Sequence, residues 1–284
     1  MGDVIHDSWV VDAIDQVDFF KVNVYRATHI RTGAKYIHLD CQDMDNVFAV
    51  LFRTPPDDDT GKPHILEHLA TCGSKNYPVR DPFMQMLKRS LNTYMNAWTG
   101  SDFTMYPFST QNPQDFRNLL SVYCDMAFKP TLNYHDFRQE GHRLEFQEWN
   151  DPSTPLEFKG VVFNEMKGAM SSPEDAFLQY VNSNLFQNSQ YRFNSGGDPK
   201  AITDLQHQEL LDFHEKYYHP TNATFMTYGD LDFTDHLRFI ENQVLGDFEK
   251  HTGIESEIIK DEPTGQEKLV GVKFMPDLMS EVSS

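Results

Sequence analysis

Apolar and polar positions alternate in three early stretches, FKVNVYRATH (20–29), AKYIHLDC (34–41) and NVFAVLFRT (46–54). Val, Ile, Phe and Tyr dominate them, and RTGA and QDMD supply the turns, which predicts an antiparallel meander. The period then lengthens. Pro63 suits the first turn of a helix that carries 64–71 and stops near Gly73, and a second helix is expected after Asp81-Pro82. NTYMNAWTGSDFTMYPFST (92–110) reads as two strands joined at Gly100-Ser101. Phe116, Leu119, Leu120, Tyr123 and Met126 recur at helical spacing within 113–128. Further helices are expected from Asn133 into HDFRQEG, over 157–170 in spite of Gly160 and Gly168, over 203–220 and over 232–249. Thr203 and Gln206 read as a capping box for the third of these, and 222–230 as a strand.

Strands first and helices later predict an α+β fold, a mainly antiparallel sheet with helices packed on one face. The expected division is one domain over 1–250, a charged linker over 251–267 and the start of a truncated second domain over 268–284, where KLVGVKF (268–274) reads as a strand.

Composition narrows the partners. Lys plus Arg number 24 against 43 Asp plus Glu, a net charge of −19, which argues against nucleic acid as a partner. With 39% hydrophobic residues and 22 Phe among 284, the chain can bury a core. No apolar run approaches the roughly 18 residues that span a bilayer, so membrane insertion is not expected. The aspartate-rich N-terminus does not read as a transit or signal peptide. Cys41, Cys72 and Cys124 form no C-x-x-C pair and read as buried thiols in a reducing compartment, Cys72 being a candidate for redox sensitivity.

The segment GKPHILEHLATCGS (61–74) holds the chemistry. Residues four apart on a helix share a face, so His64 and His68 can aim two imidazoles at one ion. Glu67 borders that face, where it could take a proton from a water that zinc makes acidic. H-x-x-E-H is the reverse of the commoner H-E-x-x-H zinc signature. With 12 His and 16 Glu, independent placement gives it roughly 0.03 times in such a chain. A solvated helix face is the plain alternative. A third ligand must come from elsewhere. Glu165 in VVFNEMKG is a candidate because it lies in an apolar stretch, with a salt bridge to Lys167 or Arg143 as the other reading.

PHILEHLATCGSKNYPVRDPF, MNAWTGSDFTMYPFSTQNPQDF, GVVFNEMKGAM, SGGDP and YYHPTNATFMTYGDL together resemble the pitrilysin-type zinc peptidases, nearest to their presequence-protease and falcilysin branch. The likeness runs from about residue 20 to 250, and the step of 97 positions from His68 to Glu165 is the longer spacing of that branch. The resemblance implies a zinc metalloendopeptidase that degrades short unstructured peptides, such as cleaved mitochondrial targeting presequences, in the mitochondrial matrix. It implies one Zn2+ held by His64, His68 and Glu165, with Glu67 as general base. It also implies a sheet edge at Asn96 and Ala97 that pairs with substrate backbone, and Phe83 in a side-chain pocket. Core packing for Phe83 and an internal strand for 96–97 are the alternatives.

Such proteases close two homologous halves into a chamber. The resemblance implies that this chain is an N-terminal fragment without the C-terminal half, and alone it is expected to be nearly inactive. The rival reading is a non-catalytic peptide-binding or scaffolding subunit of the same fold, though such subunits lose the H-x-x-E-H residues. His207, His214 and His219 form a second cluster, and the resemblance makes it a structural junction.

Overall fold

The computed structural model describes residues 4–6 and 8–262. Strands β1 (Val4–His6), β2 (Trp9–Val17), β3 (Val22–His29), β4 (Lys35–Asp40) and β5 (Asn46–Arg53) come first. Helices α1 (Lys62–Thr71) and α2 (Pro82–Arg89) follow, then β6 (Asn92–Met95), β7 (Trp98–Thr99) and β8 (Phe103–Thr110). Helices α3 (Pro113–Phe128) and α4 (Tyr134–Glu140) lead to a hairpin of β9 (Arg143–Phe146) and β10 (Leu156–Lys159). The remainder is α5 (Val161–Ala169), α6 (Pro173–Leu185), α7 (Pro199–Ile202), α8 (His207–Tyr217), β11 (Ala223–Gly229) and α9 (Phe233–Gln243).

Among the described residues nine strands form one sheet in the order β1-β2-β3-β4-β11-β5-β8-β6, with β7 also on β8. The β4–β11 pair is parallel and the other pairs are antiparallel. The meander read from residues 20–54 is there, but β11 inserts between β4 and β5. Side chains on a strand alternate between faces. Phe48, Val50 and Phe52 of β5, Tyr106 and Phe108 of β8, and Phe225 of β11 therefore share one face, and all are fully buried. They meet Phe116, Leu119, Leu120 and Tyr123 of α3 in one core. Val47, Leu51, Met105 and Met226 on the reverse face are only half-buried. The helices thus cover one side of the sheet. Phe48 stands opposite Phe108 in register, their ring centroids 5.4 Å apart. Truncating either to Ala should cost about 3–5 kcal/mol through the cavity left.

Local chemistry sets the helix ends. Pro113 opens α3, where the Asn112 side chain accepts from the Asp115 N–H, and its apolar spacing gives the expected range 113–128. Helix α8 begins at His207, not near Thr203, because Glu209 reaches back to accept the Gln206 N–H at 2.8 Å. The expected helix 157–170 is divided: residues 156–159 pair with β9, and α5 begins only after Gly160. A Cβ at Gly160 would lie 1.9 Å from the Gly141 carbonyl oxygen, so the two chains pass too closely for any side chain. Residues 248–262 contain no helix or strand, while the strand expected at 268–274 and the second-domain start at 268–284 lie outside the described residues. Among the described residues no helix is long and apolar enough to cross a membrane.

Candidate metal centre

Helix α1 enters through Gly61, whose φ of +73° lies in the left-handed region that glycine tolerates. A Cβ there would sit 2.7 Å from the carbonyl oxygen of Gly196. The contact seats the segment Asn194–Asp198 against the start of α1. Asp59 ties that segment down, its Oδ1 accepting from the Asn194 N–H at 2.7 Å and its carbonyl accepting from the Asp198 N–H at 2.8 Å.

The same Gly196 carbonyl lies 3.2 Å from His64 Nδ1. One turn on, His68 Nδ1 lies 3.0 Å from Glu140 Oε2, at the end of α4. Both partners only accept, so each Nδ1 carries the proton and donates, and each Nε2 is left with a free lone pair. Those two nitrogens point at one oxygen of Glu165 on α5: His64 Nε2 is 3.5 Å and His68 Nε2 3.7 Å from Oε2. Ligand atoms of His64, His68 and Glu165 all lie within 4.8 Å of one another. Two zinc bonds of about 2.0–2.2 Å at a tetrahedral angle hold their ligand atoms roughly 3.3–3.6 Å apart. Two neutral imidazoles and a carboxylate at this separation suit zinc in both donor type and spacing.

Among the described residues Glu165 forms no ion pair with either expected rival, Lys167 or Arg143, and Arg143 pairs with Glu145 instead. The argument from burial also fails. Glu165 is 51% exposed, because its side chain faces the cleft and not the core beneath α5. Burial and the neighbouring His68 lower the pKa of His64, which favours its neutral ligand form. For His68 burial acts downward too, but the hydrogen bond to Glu140 and the charges of Glu67, Glu140 and Glu165 outweigh it, and the pKa is raised.

An open cleft of about 780 Å³ lies over the centre, bounded by α1, residues 96–100, Glu165 and Asn194–Gly196. Glu67 lines it, 8% exposed, with Oε2 accepting the Thr99 hydroxyl at 2.6 Å. Strand β8 pairs with β5 on one side and with β6 and β7 on the other, so among the described residues 92–99 form the outermost segment there. The Asn96 N–H turns inward to the Pro107 carbonyl at 3.1 Å, and the Ala97 N–H is met by its neighbour's side-chain oxygen at 3.0 Å. Phe83 serves two surfaces at once, packing 6.2 Å from the Tyr123 ring and lining the cleft.

Cys72 and Cys124 are buried and Cys41 is half-buried, all three free. Burial pushes the Cys72 thiol well up, which disfavours the thiolate that redox chemistry at this residue would need.

Residues 53–154 match the family model described as "Insulinase (Peptidase family M16)", and 204–277 match "Peptidase M16 inactive domain". The first match holds His64, Glu67, His68 and Glu140. The chain is 48% identical over 280 residues to the mitochondrial presequence protease of Danio rerio, covering 99% of this chain and 27% of the relative. The chain belongs to the M16 peptidase family. The mitochondrial presequence protease of Mus musculus is 50% identical over 250 residues, 88% of this chain and 24% of that one. The M16 chain thus spans about a quarter of the length of these curated relatives. The crystal structure of pitrilysin shares the fold, with a TM-score of 0.65 at 19% identity over 84% of this chain and 24% of that one.

Three residues that hold the centre in place were not picked out by sequence reasoning. Glu140 in RQEGH carries no signal of its own. Gly196 and Thr99 stood inside SGGDP and NAWTGS, segments noted only for their resemblance. A helix motif displays its own ligands, whereas their supports come from wherever the fold brings a backbone or a loop.

Proposed function

We propose that this chain is the N-terminal, metal-binding catalytic domain of a presequence-degrading M16 metallopeptidase. The observation that carries the reading is the convergence of His64 Nε2, His68 Nε2 and Glu165 Oε2 at one point of a cleft that Glu67 also lines. His64, His68 and Glu165 would hold one Zn2+, which when bound supplies Lewis acidity toward a peptide carbonyl and toward water.

The protein groups do the rest. Residues 96–99 add an extended peptide to the sheet, a form of recognition that tolerates many sequences. The Ala97 N–H exchanges the Asn96 side-chain oxygen for a substrate carbonyl. Phe83 offers an apolar wall for one substrate side chain. Glu67 accepts a proton from the attacking water and returns it to the leaving amine. Gly196 and Glu140 keep both histidines in the tautomer that leaves Nε2 free. Short unstructured peptides are the substrate class, as an extended strand is required, and the relatives' names support a mitochondrial location, within which the matrix is our reading. The C-terminal part found in longer relatives would close the cleft into a chamber.

Elemental analysis should find about one zinc per chain, lost in Glu165→Gln. In the complete protease, Glu67→Gln should keep its zinc and lose about 10²–10⁴ in turnover. Equal zinc in wild type and Glu165→Gln, or undiminished cleavage by Glu67→Gln, would remove the assignment.

A further inference from the structure

We propose that Thr99 is a positioning residue for Glu67, fixing the carboxylate of the proton acceptor to the strand that holds the substrate. The inference rests on the reading of Glu67 given above. It starts from a carboxylate on α1 that is 8% exposed and needs a donor to be tolerated there. The Thr99 hydroxyl supplies it at 2.6 Å, within the range of a charge-assisted O–H···O⁻ bond.

The donor itself is firmly mounted. Strand β7 has only two residues, yet Thr99 pairs with Thr104, and the following turn is closed by the Gly100 N–H on the Phe103 carbonyl at 2.8 Å. Thr104 is fully buried and its hydroxyl lies 2.8 Å from that of Thr54 on the far side of β8. Threonine is also β-branched, so few rotamers are open to it. Glutamate has three rotatable side-chain bonds. A hydrogen bond from a stiff strand removes most of that freedom and leaves one oxygen, Oε1, for proton exchange. Ala97 lies two residues before Thr99 on the same edge. A peptide bonded to the Ala97 N–H and the carboxylate bonded to Thr99 are thus held in one frame, the arrangement that orientation effects require.

The experiment uses the complete protease and a quenched fluorescent peptide, with kcat, KM and zinc content measured together. Thr99→Val is nearly isosteric and deletes the donor, and Thr99→Ala deletes it with no steric demand should valine disturb the fold. Either should lower kcat about ten- to a hundredfold, the usual worth of a hydrogen bond to a charged group, with KM within about twofold and zinc unchanged. Thr99→Ser keeps the hydroxyl and should recover most of the loss. In a Glu67→Gln background the Thr99→Val change should add little further, because the group it positions is already disabled. An unchanged kcat in both Thr99→Val and Thr99→Ala, a rise in KM alone, or a Ser variant as poor as the Val variant would overturn the proposal. Full activity in Glu67→Gln alone would instead overturn the underlying reading, so the two failures are distinguishable.

Discussion

Histidines occupy two chemically different regions of this molecule. In the cleft, His64 and His68 are each held at Nδ1 by an acceptor and turn Nε2 toward a shared carboxylate. Among the helices on the covered face of the sheet, His207 and His214 each give Nε2 to one backbone carbonyl, of Leu132 at 2.8 Å and Ala127 at 3.1 Å. His219 accepts the Thr221 N–H at Nδ1, capping a short turn. His38 and His236 sit against Phe233 and Phe116 in the same packed layer. Both regions have histidines on helices. What separates them is carboxylates. Glu67, Glu140 and Glu165 surround the cleft pair, whereas these packed histidines meet carbonyls, an N–H, the Thr227 hydroxyl and rings. The buried His29 does meet a carboxylate, Glu241 at 2.7 Å, but among the described residues with no second histidine across it. Spacing along a helix is therefore a weak sign of a metal centre until a third, anionic ligand arrives from another element.

Acid should split the two regions most widely. Burial lowers the pKa of His214, of His38 and of His236 to about 4. Each is neutral in the fold but protonates near 6.5 once unfolded, so between those values the unfolded chain binds more protons. Their stabilisation is fully present above pH 6.5 and is lost as pH falls toward 4, on the order of 3 kcal/mol per ring. His68 runs the other way in zinc-free protein. Its raised pKa adds stability below its unfolded value, which fades as pH rises through the folded one. Denaturant midpoints of the zinc-free chain from pH 7 to 4.5 should fall steeply. The slope should flatten in His236→Phe and steepen in His68→Phe. Equal slopes in all three proteins would show that the regions do not differ in this way.

Much of this was legible in the sequence, for reasons that differ by element. Helix α3 could be bounded because its apolar stripe is one-sided and Asn112-Pro113 marks its start. His64, Glu67 and His68 were legible as candidates because all three fall within about one turn of helix. Strand β2 went unread: Asp12 and Asp15 interrupt WVVDAIDQV, which lies near the sheet's edge, and apart from Trp9 its residues are not buried. Helix α6 has no buried residue, hence no stripe to find. Glu165 was singled out for a reason the structure reverses, since it is exposed to the cleft and not enclosed by apolar neighbours. Glu140 was out of reach, because its role arises only when α4 packs beside α1.

A smaller effect should follow from Glu140. Its carboxylate is held by Gln139 at 2.9 Å and fixes His68 in turn. Glu140→Ala leaves all three ligand side chains intact, yet supports of this kind typically carry about 10–100-fold in metal affinity. Competition with a zinc chelator should show that loss, while His214→Phe should show none. Equal zinc affinity in Glu140→Ala and wild type would mean that the carboxylates around the cleft do not act on the metal through His68.

The smallest effect is expected at His207, where the two regions are easiest to confuse by sequence. Its Nε2–H reaches the carbonyl of Leu132, a residue held at φ +44°, in the left-handed region that leucine rarely adopts. The imidazole also lies between the rings of Tyr134 and Phe137, at 5.6 and 5.5 Å. It acts as a clasp on the turn between α3 and α4. His207→Phe preserves the ring packing and deletes only the donor, so the loss is one neutral hydrogen bond, about 0.5–1.5 kcal/mol, read as a drop of a few degrees in Tm. Zinc content should not change, because no carboxylate links this ring to the cleft. Loss of zinc in His207→Phe at unchanged Tm would reverse the assignment, placing His207 with the metal centre and not with the packing.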